Sequence, residues 1–301
     1  MSTSKKQVEI YVYEGRKFVR FTSPNLEECI SFYKTSDYRY IDLNYVRDFN
    51  EENLDFLKGL KVEGILVNTM LIKDYSELLN HPELKFIEVS EIPSSDFDFN
   101  KLPNLEFFSG DWDPNYKNLS SAQNLKELTI GKYKSQKKDL TEFSRLEKLE
   151  NLRIIQSNIK SCKGLETLSK LKKIGLAYNT ALLTFTDTNK VDFKLEELEI
   201  QNCKKLDLNT LEGIQELKKL VIVKHDKVVT LEPILKKMPR LEKLQFTESE
   251  LTDNDNRYLI KQPSLKLVWL TDKKKYQLNE EEINEALKNP EKKRELLKMH
   301  I

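Results

Sequence analysis

The sequence predicts an α/β solenoid, a fold that grows by stacking short repeats along one axis. A six-residue frame recurs with apolar residues at its first, fourth and sixth places, and consecutive copies begin 20 to 24 residues apart. No Gly/Ser-rich linker interrupts the series, so one continuous domain is expected although 301 residues would suffice for two ordinary ones. The copies begin at Tyr38, Val62, Leu84, Leu105, Leu125, Leu149, Leu171, Leu195, Leu217, Leu241 and Leu265, and the weaker copy at Leu105 has Gly110 at its sixth place.

Each frame is expected to form a short strand, because its apolar places follow the alternation of strand side chains. The first, fourth and sixth places point into the solenoid, and the third, fifth and seventh places point to the opposite, open face. Parallel strands from neighbouring repeats then form one curved, concave sheet. Returning segments such as 210–219 and 233–239 carry apolar residues at helical spacing, which predicts short helices or 3₁₀ turns on the convex side.

The period lies in the range of leucine-rich repeats. The segment 146–159 follows the consensus L-x-x-L-x-x-L-x-L-x-x-N-x-I, with Ser157 at the Asn position. In this respect the chain resembles bacterial leucine-rich-repeat proteins of the internalin-like type. The resemblance implies that the Asn side chain ties each turn to the adjacent repeat. That position holds Asn only at Asn179, and Ile92 and Tyr133 imply less regular turns.

Both ends of the solenoid are predicted to be capped. Residues 8–13 and 17–22 alternate apolar and polar side chains around a Glu-Gly-Arg turn, and residues 24–34 show helical spacing. We therefore expect an N-terminal hairpin–helix cap over residues 1–37, a solenoid of about 10 to 11 repeats over 38–272, and a C-terminal helical cap over 273–301. In the last, Asn279 begins a capped helix and Pro290 divides the segment. The alternatives are a separate N-terminal functional domain and a detachable, partner-binding C-terminal helix.

The composition argues against nucleic acid and membrane partners. Lys+Arg 50 nearly cancels Asp+Glu 49, so the net charge of +1 provides no field for a polyanion or an anionic bilayer. Neither a secretory h-region nor the roughly 18 apolar residues of a membrane span is present. Cys29, Cys162 and Cys203 are odd in number and dispersed, which indicates reduced thiols and a cytoplasmic location.

No pattern in the sequence indicates catalysis, a metal or another cofactor. His81, His225 and His300 have no Cys, Ser or carboxylate at a spacing typical of a triad or a metal site. The pair His225-Asp226 beside Cys203 is interpreted as a polar turn contact. We therefore predict a non-enzymatic protein, with an enzyme assembled across repeats as the alternative of a different class.

The open face is the predicted binding surface. Phe86 and Phe107 occupy third places of neighbouring frames, and Trp112 lies at the rim. Exposed aromatic side chains on a rigid sheet are typical of interface hot spots. Single charges of both signs surround them and complete the predicted protein-binding set: Glu88, Asp111, Arg153, Glu197 and Glu199.

Two alternatives to this surface remain open. The N-terminal cap or the loop 111–116 can cover the aromatic side chains, and Glu197 and Glu199 can pair across strands with Lys219. If the surface is open, alanine at Phe86, Phe107 and Trp112 abolishes partner binding and leaves the thermal transition nearly intact.

The predicted function is recognition of a protein partner by a monomer. Two specific roles compete: an intracellular immunity or inhibitor protein that occludes a toxin or an enzyme, and a cytosolic scaffold or regulatory adaptor. Because fold analogy supports both equally, the sequence does not separate them.

Overall fold

The computed structural model of the chain describes residues 8–90, 96–185, 194–226, 228, 230–271 and 273–298. It divides into two compact units, the first ending at Gly131 and the second beginning at Lys132. In both units short parallel strands recur at the predicted interval, joined by returning segments with short helices. Each unit therefore has the leucine-rich-repeat fold that the sequence predicts. The predicted boundaries between caps and solenoid stay predictions.

The strands and helices are short throughout the described residues. The strands of the first unit are β1 (Glu9–Tyr13), β2 (Arg16–Phe21), β3 (Tyr40–Asn44), β4 (Gly64–Asn68), β5 (Phe86–Val89), β6 (Phe97–Asp98), β7 (Phe107–Asp111), β8 (Tyr116–Lys117) and β9 (Glu127–Gly131). Those of the second unit are β10 (Asn151–Ile155), β11 (Lys173–Ala177), β12 (Glu197–Gln201), β13 (Lys219–Val223), β14 (Lys243–Thr247) and β15 (Leu267–Leu270).

The α-helices are α1 (Leu26–Thr35), α2 (Glu232–Leu235), α3 (Tyr258–Lys261), α4 (Glu280–Lys288) and α5 (Pro290–Lys298). The returning segments also form the predicted 3₁₀ turns, at Ser23–Asn25, Tyr45–Arg47, Asp55–Leu57, Ser76–Asn80, Phe99–Lys101, Leu119–Ser121, Thr141–Arg145 and Leu208–Leu211.

The six-residue frame sets the core and the register of the sheet. In the copy that begins at Val62, the first, fourth and sixth places (Val62, Ile65 and Val67) are buried. The third places of neighbouring copies pair in register, as Gly64 with Phe86 and Phe86 with Phe107. The inward places of the frame are thereby confirmed as core, and the third places share one face of the sheet.

The N-terminal hairpin continues the first unit's sheet. Strands β1 and β2 pair antiparallel, and β2 then runs parallel to β3. Glu14 and Gly15 take left-handed backbone angles (φ 48° and 70°), the combination that a tight two-residue hairpin turn requires. Helix α1 follows and buries Cys29 and Tyr33.

In the second unit, the strands β10 to β14 end in the same turn. The residue after the strand takes left-handed backbone angles at Gln156, Tyr178, Asn202, Lys224 and Glu248. At four of these residues the backbone N–H donates to the last carbonyl of the next strand, as from Gln156 to Ala177 (2.9 Å). The turn at Tyr133 begins in the same way, since Lys132 has φ 52° and donates to Ile155. The turn at Tyr133 thus begins regularly but is followed by a further left-handed residue, Lys138 (φ 61°). Ile92 lies outside the described residues.

The C-terminal helices close the edge of the last strand. Asn279 caps α4 in a reciprocal capping box with Glu282. The Asn284 side chain accepts from the N–H of Val268 and donates to its carbonyl, both at 2.8 Å. The helix thus covers the backbone edge of β15 and not its open face, where the Trp269 side chain is 39% exposed. Among the described helices, none combines the length and the apolar character that crossing a bilayer requires.

Candidate functional site

The N-terminal hairpin folds over the open face of the first unit and buries Phe86. The Phe86 side chain is 0% exposed, so the prediction that it forms an open contact surface is wrong. Its ring lies 5.7 Å from that of Phe18 on β2 and stacks on Phe107 at 4.3 Å. The Arg16 guanidinium covers it at 4.9 Å from the ring centroid. Phe86 is therefore part of the core, as in the alternative in which the cap covers the aromatic side chains.

A glycine allows this closure. Phe18 and Phe86 meet although β3 and β4 lie between their strands, and Tyr40 also contacts both rings. Gly64 lies beneath, where a Cβ atom would stand 2.1 Å from Cδ1 of Tyr40. Since any larger residue at position 64 would collide with Tyr40, the aromatic cluster requires glycine there.

Beside the aromatic cluster the same face holds a cleft of about 450 Å³. We call it the hairpin cleft. Tyrosines of β1 form one side, and polar side chains of the parallel strands form the rest. Its lining residues are Tyr11, Tyr13, Asp42, Asn44, Leu66, Val67, Asn68, Glu88, Val89, Ser90 and Ser109.

Asp42 is the buried acid of the hairpin cleft. Its side chain is fully enclosed, and Oδ2 accepts from Nε of Arg20 at 2.8 Å. The other oxygen, Oδ1, is buried without a hydrogen-bond partner. Arg20 also pairs with Glu9 at 2.5 Å and lies over the Tyr11 ring. Burial and the Asp42 charge raise the pKa of Tyr11 to about 12, so its hydroxyl stays protonated.

Glu88 is the second acid, and it has no basic partner. It is half-buried, and the Tyr13 hydroxyl donates to its Oε2 at 3.3 Å. Burial raises the pKa of the Glu88 carboxyl, the Tyr13 hydrogen bond opposes that rise, and the Glu14 charge adds to it. No lysine or arginine of the described chain forms an ion pair with it. The carboxylate is therefore stabilised less than it would be in water.

This burial predicts a pH-dependent gain in stability for Glu88→Gln. Because the folded-state pKa of Glu88 lies above its ordinary value of 4.5, the folded protein binds the proton more tightly than the unfolded chain. Ionisation then reduces stability as the pH rises from that ordinary value through the raised folded value. We expect Glu88→Gln to have a higher Tm than the natural protein at about pH 7, and a smaller difference at about pH 4. Glu127→Gln, on β9, is the control; an equal gain at both pH values would contradict the assignment.

An apolar rim borders the hairpin cleft where β3 and β4 end. Tyr45, Val46 and Met70 are 59%, 79% and 75% exposed. They follow Asn44 and Asn68, which face each other in the cleft lining. Large apolar side chains this exposed, at the ends of two paired strands, are typical of surfaces that bind other molecules.

The other residues predicted for this part of the surface are held by their own unit. Phe107 is half-buried against Phe86. Asp111 lies against Gly131, where a Cβ atom would stand 2.1 Å from its Oδ1. Trp112 is half-buried, and its backbone N–H donates to the Gly131 carbonyl at 2.7 Å. Of the predicted residues in the first unit, only Glu88 lines the hairpin cleft.

The predicted residues of the second unit form a different arrangement. Glu197 pairs with Lys173 at 3.0 Å and Lys219 at 3.6 Å, and Glu199 pairs with Lys219 at 3.1 Å. Partial burial opposes ionisation of Glu197, but these lysines lower its pKa overall. The cross-strand pairing that the sequence left open is present. Arg153 is exposed and lies over Gly175.

The groups that catalysis or metal binding would use are dispersed in the described chain. No cluster of three His, Cys, Asp or Glu side chains suited to a metal ion occurs among those residues. Cys29, Cys162 and Cys203 are buried, and none of the three is part of a disulfide. His225 contacts the carbonyls of Asp226 and Leu206, which fits the polar turn inferred from the sequence. His300 lies outside the described residues.

Sequence reasoning missed most of the hairpin cleft, although one signal for it was present. Asp42 occupies the fifth place of the frame that begins at Tyr38, and so belongs to the same open-face column as Leu66 and Glu88. That column would have identified both acids. Tyr11 and Tyr13 alternate with the exposed Val12 along β1, but only the fold shows that they face the cleft.

No family model and no curated protein matches the chain. Solved structures of leucine-rich-repeat proteins do resemble it. The internalin InlF from Listeria monocytogenes str. 4b F2365 is 16% identical, with 73% of this chain and 78% of that chain covered and a TM-score of 0.39. Mouse RP105, in complex with MD-1, is 13% identical, with 83% and 49% covered and a TM-score of 0.49.

A third similar structure is TLR13 in its complex with ssRNA13, at 20% identity and a TM-score of 0.47. The match covers 82% of this chain and 34% of that one, so the chain spans about a third of the length of TLR13. Identities this low leave the partner of this chain to be argued from its own residues.

Proposed function

We propose that this protein is a non-enzymatic recognition module that binds another protein on the open face of its first unit. One observation carries the proposal: a polar cleft with two acids, Asp42 and Glu88, lies beside an exposed apolar rim of Tyr45, Val46 and Met70. Protein interfaces combine these features, an apolar patch that excludes water and polar groups that fix orientation.

The chemistry of the rim favours a folded protein over a small molecule. Val46 and Met70 are each more than two-thirds exposed, so the apolar surface lies outside the cleft instead of enclosing a ligand. Methionine adapts to the shape of an apolar partner, and tyrosine adds a hydrogen-bonding group at the edge. The net charge of +1 gives no general attraction to nucleic acid.

The role that we propose is a cytoplasmic one, carried out by a monomer, in which the partner is occluded as by an immunity or inhibitor protein. A scaffold or adaptor would use the same surface but leave the partner active. One measurement distinguishes the two roles: the activity of the purified partner falls when this protein is added if the role is inhibition, and stays the same if the role is that of a scaffold.

Site-specific photo-crosslinking tests the binding surface. We expect p-benzoylphenylalanine at Met70 to form a discrete protein adduct in cells, because a bound partner covers the rim. The matched control carries the same group at Leu183, which is 44% exposed in the second unit. Equal adducts at the two positions would indicate non-specific contact and contradict the proposed surface.

Substitution of the rim should weaken binding without unfolding the protein. The variant Tyr45→Ser, Val46→Ser, Met70→Ser removes mainly exposed apolar area, so we expect Tm to change by only a few degrees. Affinity for the partner identified by crosslinking should fall by about tenfold or more, as for a small group of hot-spot residues. Binding as tight as that of the natural protein would exclude the rim from the interface.

A further inference from the structure

The charges around the hairpin cleft do not balance. Glu9, Glu14, Asp42 and Glu88 supply carboxylates, whereas the guanidinium groups come from Arg16 and Arg20. Arg20 serves Asp42 and Glu9 together, and Arg16 lies over Phe86 and donates to the carbonyl of Glu14. The set has two more negative than positive charges, and the excess is concentrated at Glu88 and at the unpartnered oxygen of Asp42.

The two acids flank an apolar floor. Asp42, Leu66 and Glu88 face one another in register on β3, β4 and β5. Two strand spacings separate the backbones of the acids, about 10 Å. Tyr11 and Tyr13 form the hairpin side of the cleft, with Tyr13 bonded to Glu88 and Tyr11 beside Asp42. The cleft thus combines apolar and aromatic walls with carboxylates.

This combination fits a long side chain with a positive end. A methylene stem can lie on Leu66, and the charged group can reach Glu88 beside the tyrosine rings. A cation there compensates for the hydration that the Glu88 carboxylate loses on burial, because it donates a charge-assisted hydrogen bond. A neutral ligand leaves Glu88 uncompensated, and an anion is repelled by both carboxylates.

We propose that the hairpin cleft binds an arginine or lysine side chain of the protein partner, with Glu88 as the main acceptor and Asp42 as the second acid. This inference rests on the proposed function, since the exposed rim beside the cleft would position the segment that carries the basic side chain. The partner therefore presents a basic residue next to an apolar patch.

Fluorine NMR of the full chain tests the inference. With 3-fluorotyrosine in place of tyrosine, the Tyr13 resonance is assigned from Tyr13→Phe and reports directly on the cleft. The probes are N-acetyl-arginine methylamide, the lysine equivalent and the neutral citrulline equivalent, at matched ionic strength. We expect saturable shifts of the Tyr13 resonance with the two cations. The affinity for citrulline, which lacks the charge, should be lower by about tenfold or more.

Glu88→Gln and Glu127→Gln form the matched pair of variants. We expect the first to reduce the affinity for the arginine probe about tenfold and the second to leave it unchanged. An equal response to citrulline, full arginine binding by Glu88→Gln, or no saturable shift up to about 20 mM probe would overturn the proposal. If Glu88→Gln does not fold, the arginine–citrulline comparison on the natural protein still decides.

n-Butylguanidine, which has the same single positive charge as the blocked arginine but no peptide groups, separates the sources of the cation. Binding of n-butylguanidine about tenfold tighter than of the blocked arginine would indicate a small free cation and overturn the assignment to a protein side chain. The proposed function is tested independently. If a partner crosslinks at Met70 but no probe binds, the proposal of a basic side chain in the hairpin cleft fails and the proposed function stands.

Discussion

Replacing Phe86 with alanine is expected to destabilise the first unit by about 3–5 kcal/mol, the usual cost of removing a fully buried phenylalanine. The ring contacts Phe18, Tyr40 and Phe107 and lies under Arg16, so its loss leaves a cavity that four neighbours share. This result is the opposite of the one expected for an exposed contact residue, for which stability would hardly change.

The two tryptophans allow this loss to be measured for each unit. Trp112 lies in the first unit and Trp269 in the second, and the chain contains no others. With Trp112 alone, in a Trp269→Phe background, Phe86→Ala should lower the midpoint of fluorescence-detected denaturation. With Trp269 alone the shift should be smaller, because repeat proteins lose stability mainly near the altered repeat.

Phe107→Ala is the matched control. Phe107 stacks on Phe86 but is half-exposed, so its removal should cost clearly less. If Phe86→Ala costs no more than Phe107→Ala, the hairpin does not cover the open face in solution, and the hairpin cleft would not exist in the form described.

The sequence predicted the strands because their cause is local. In each copy the fourth and sixth places, such as Ile65 and Val67, must be apolar to fill the core, and the alternation of side chains then assigns every other place to a face. The hairpin, helix α1 and the capped helix α4 were predicted for the same reason: turn residues and capping residues act on their immediate neighbours.

The closure over the open face was not predictable from such patterns. Phe18 and Phe86 are far apart in the chain, and their contact depends on the missing side chain at Gly64 and on how strongly the sheet curls. A pattern of alternation states which face a residue lies on, but not whether another element covers that face. For this reason the sequence placed Phe86 on the correct face and wrongly left it open.

The second place of the frame carries a charge pattern of its own. The second place of the frame alternates between glutamate and lysine along the copies, from Glu63 and Lys85 to Glu242 and Lys266. Within each unit these residues pair across neighbouring strands, as Lys85 with Glu63 at 2.7 Å and Lys266 with Glu242 at 3.0 Å. Exposed pairs add little stability, but a shift by one repeat would bring like charges together. The alternation therefore favours the observed stacking order.

Asn179→Ala is expected to produce the largest loss in the second unit, about 3 kcal/mol or more. The side chain is fully buried and accepts from the N–H and the hydroxyl of Ser157 at 2.8 and 2.7 Å. Its amide donates to the Ile154 carbonyl at 2.9 Å. Alanine removes these three hydrogen bonds, and Ser157 Oγ keeps only the bond that it accepts from the N–H of Ile159 at 3.4 Å. Each buried group left unsatisfied costs about 1–3 kcal/mol.

The size of this effect would separate a turn held by one side chain from a turn held by the backbone. At Cys203 and Ser249 shorter side chains occupy the same place. The N–H of Asn202, the left-handed residue before Cys203, still donates to the Val223 carbonyl. If the backbone alone sufficed, Asn179→Ala would shift the Trp269 transition no more than the exposed control Thr180→Ala. We expect a much larger shift, because Ser157 and Ile154 are positioned to bond the Asn179 amide, which the alanine variant lacks. The repeats with cysteine or serine have neighbours suited to the shorter side chain.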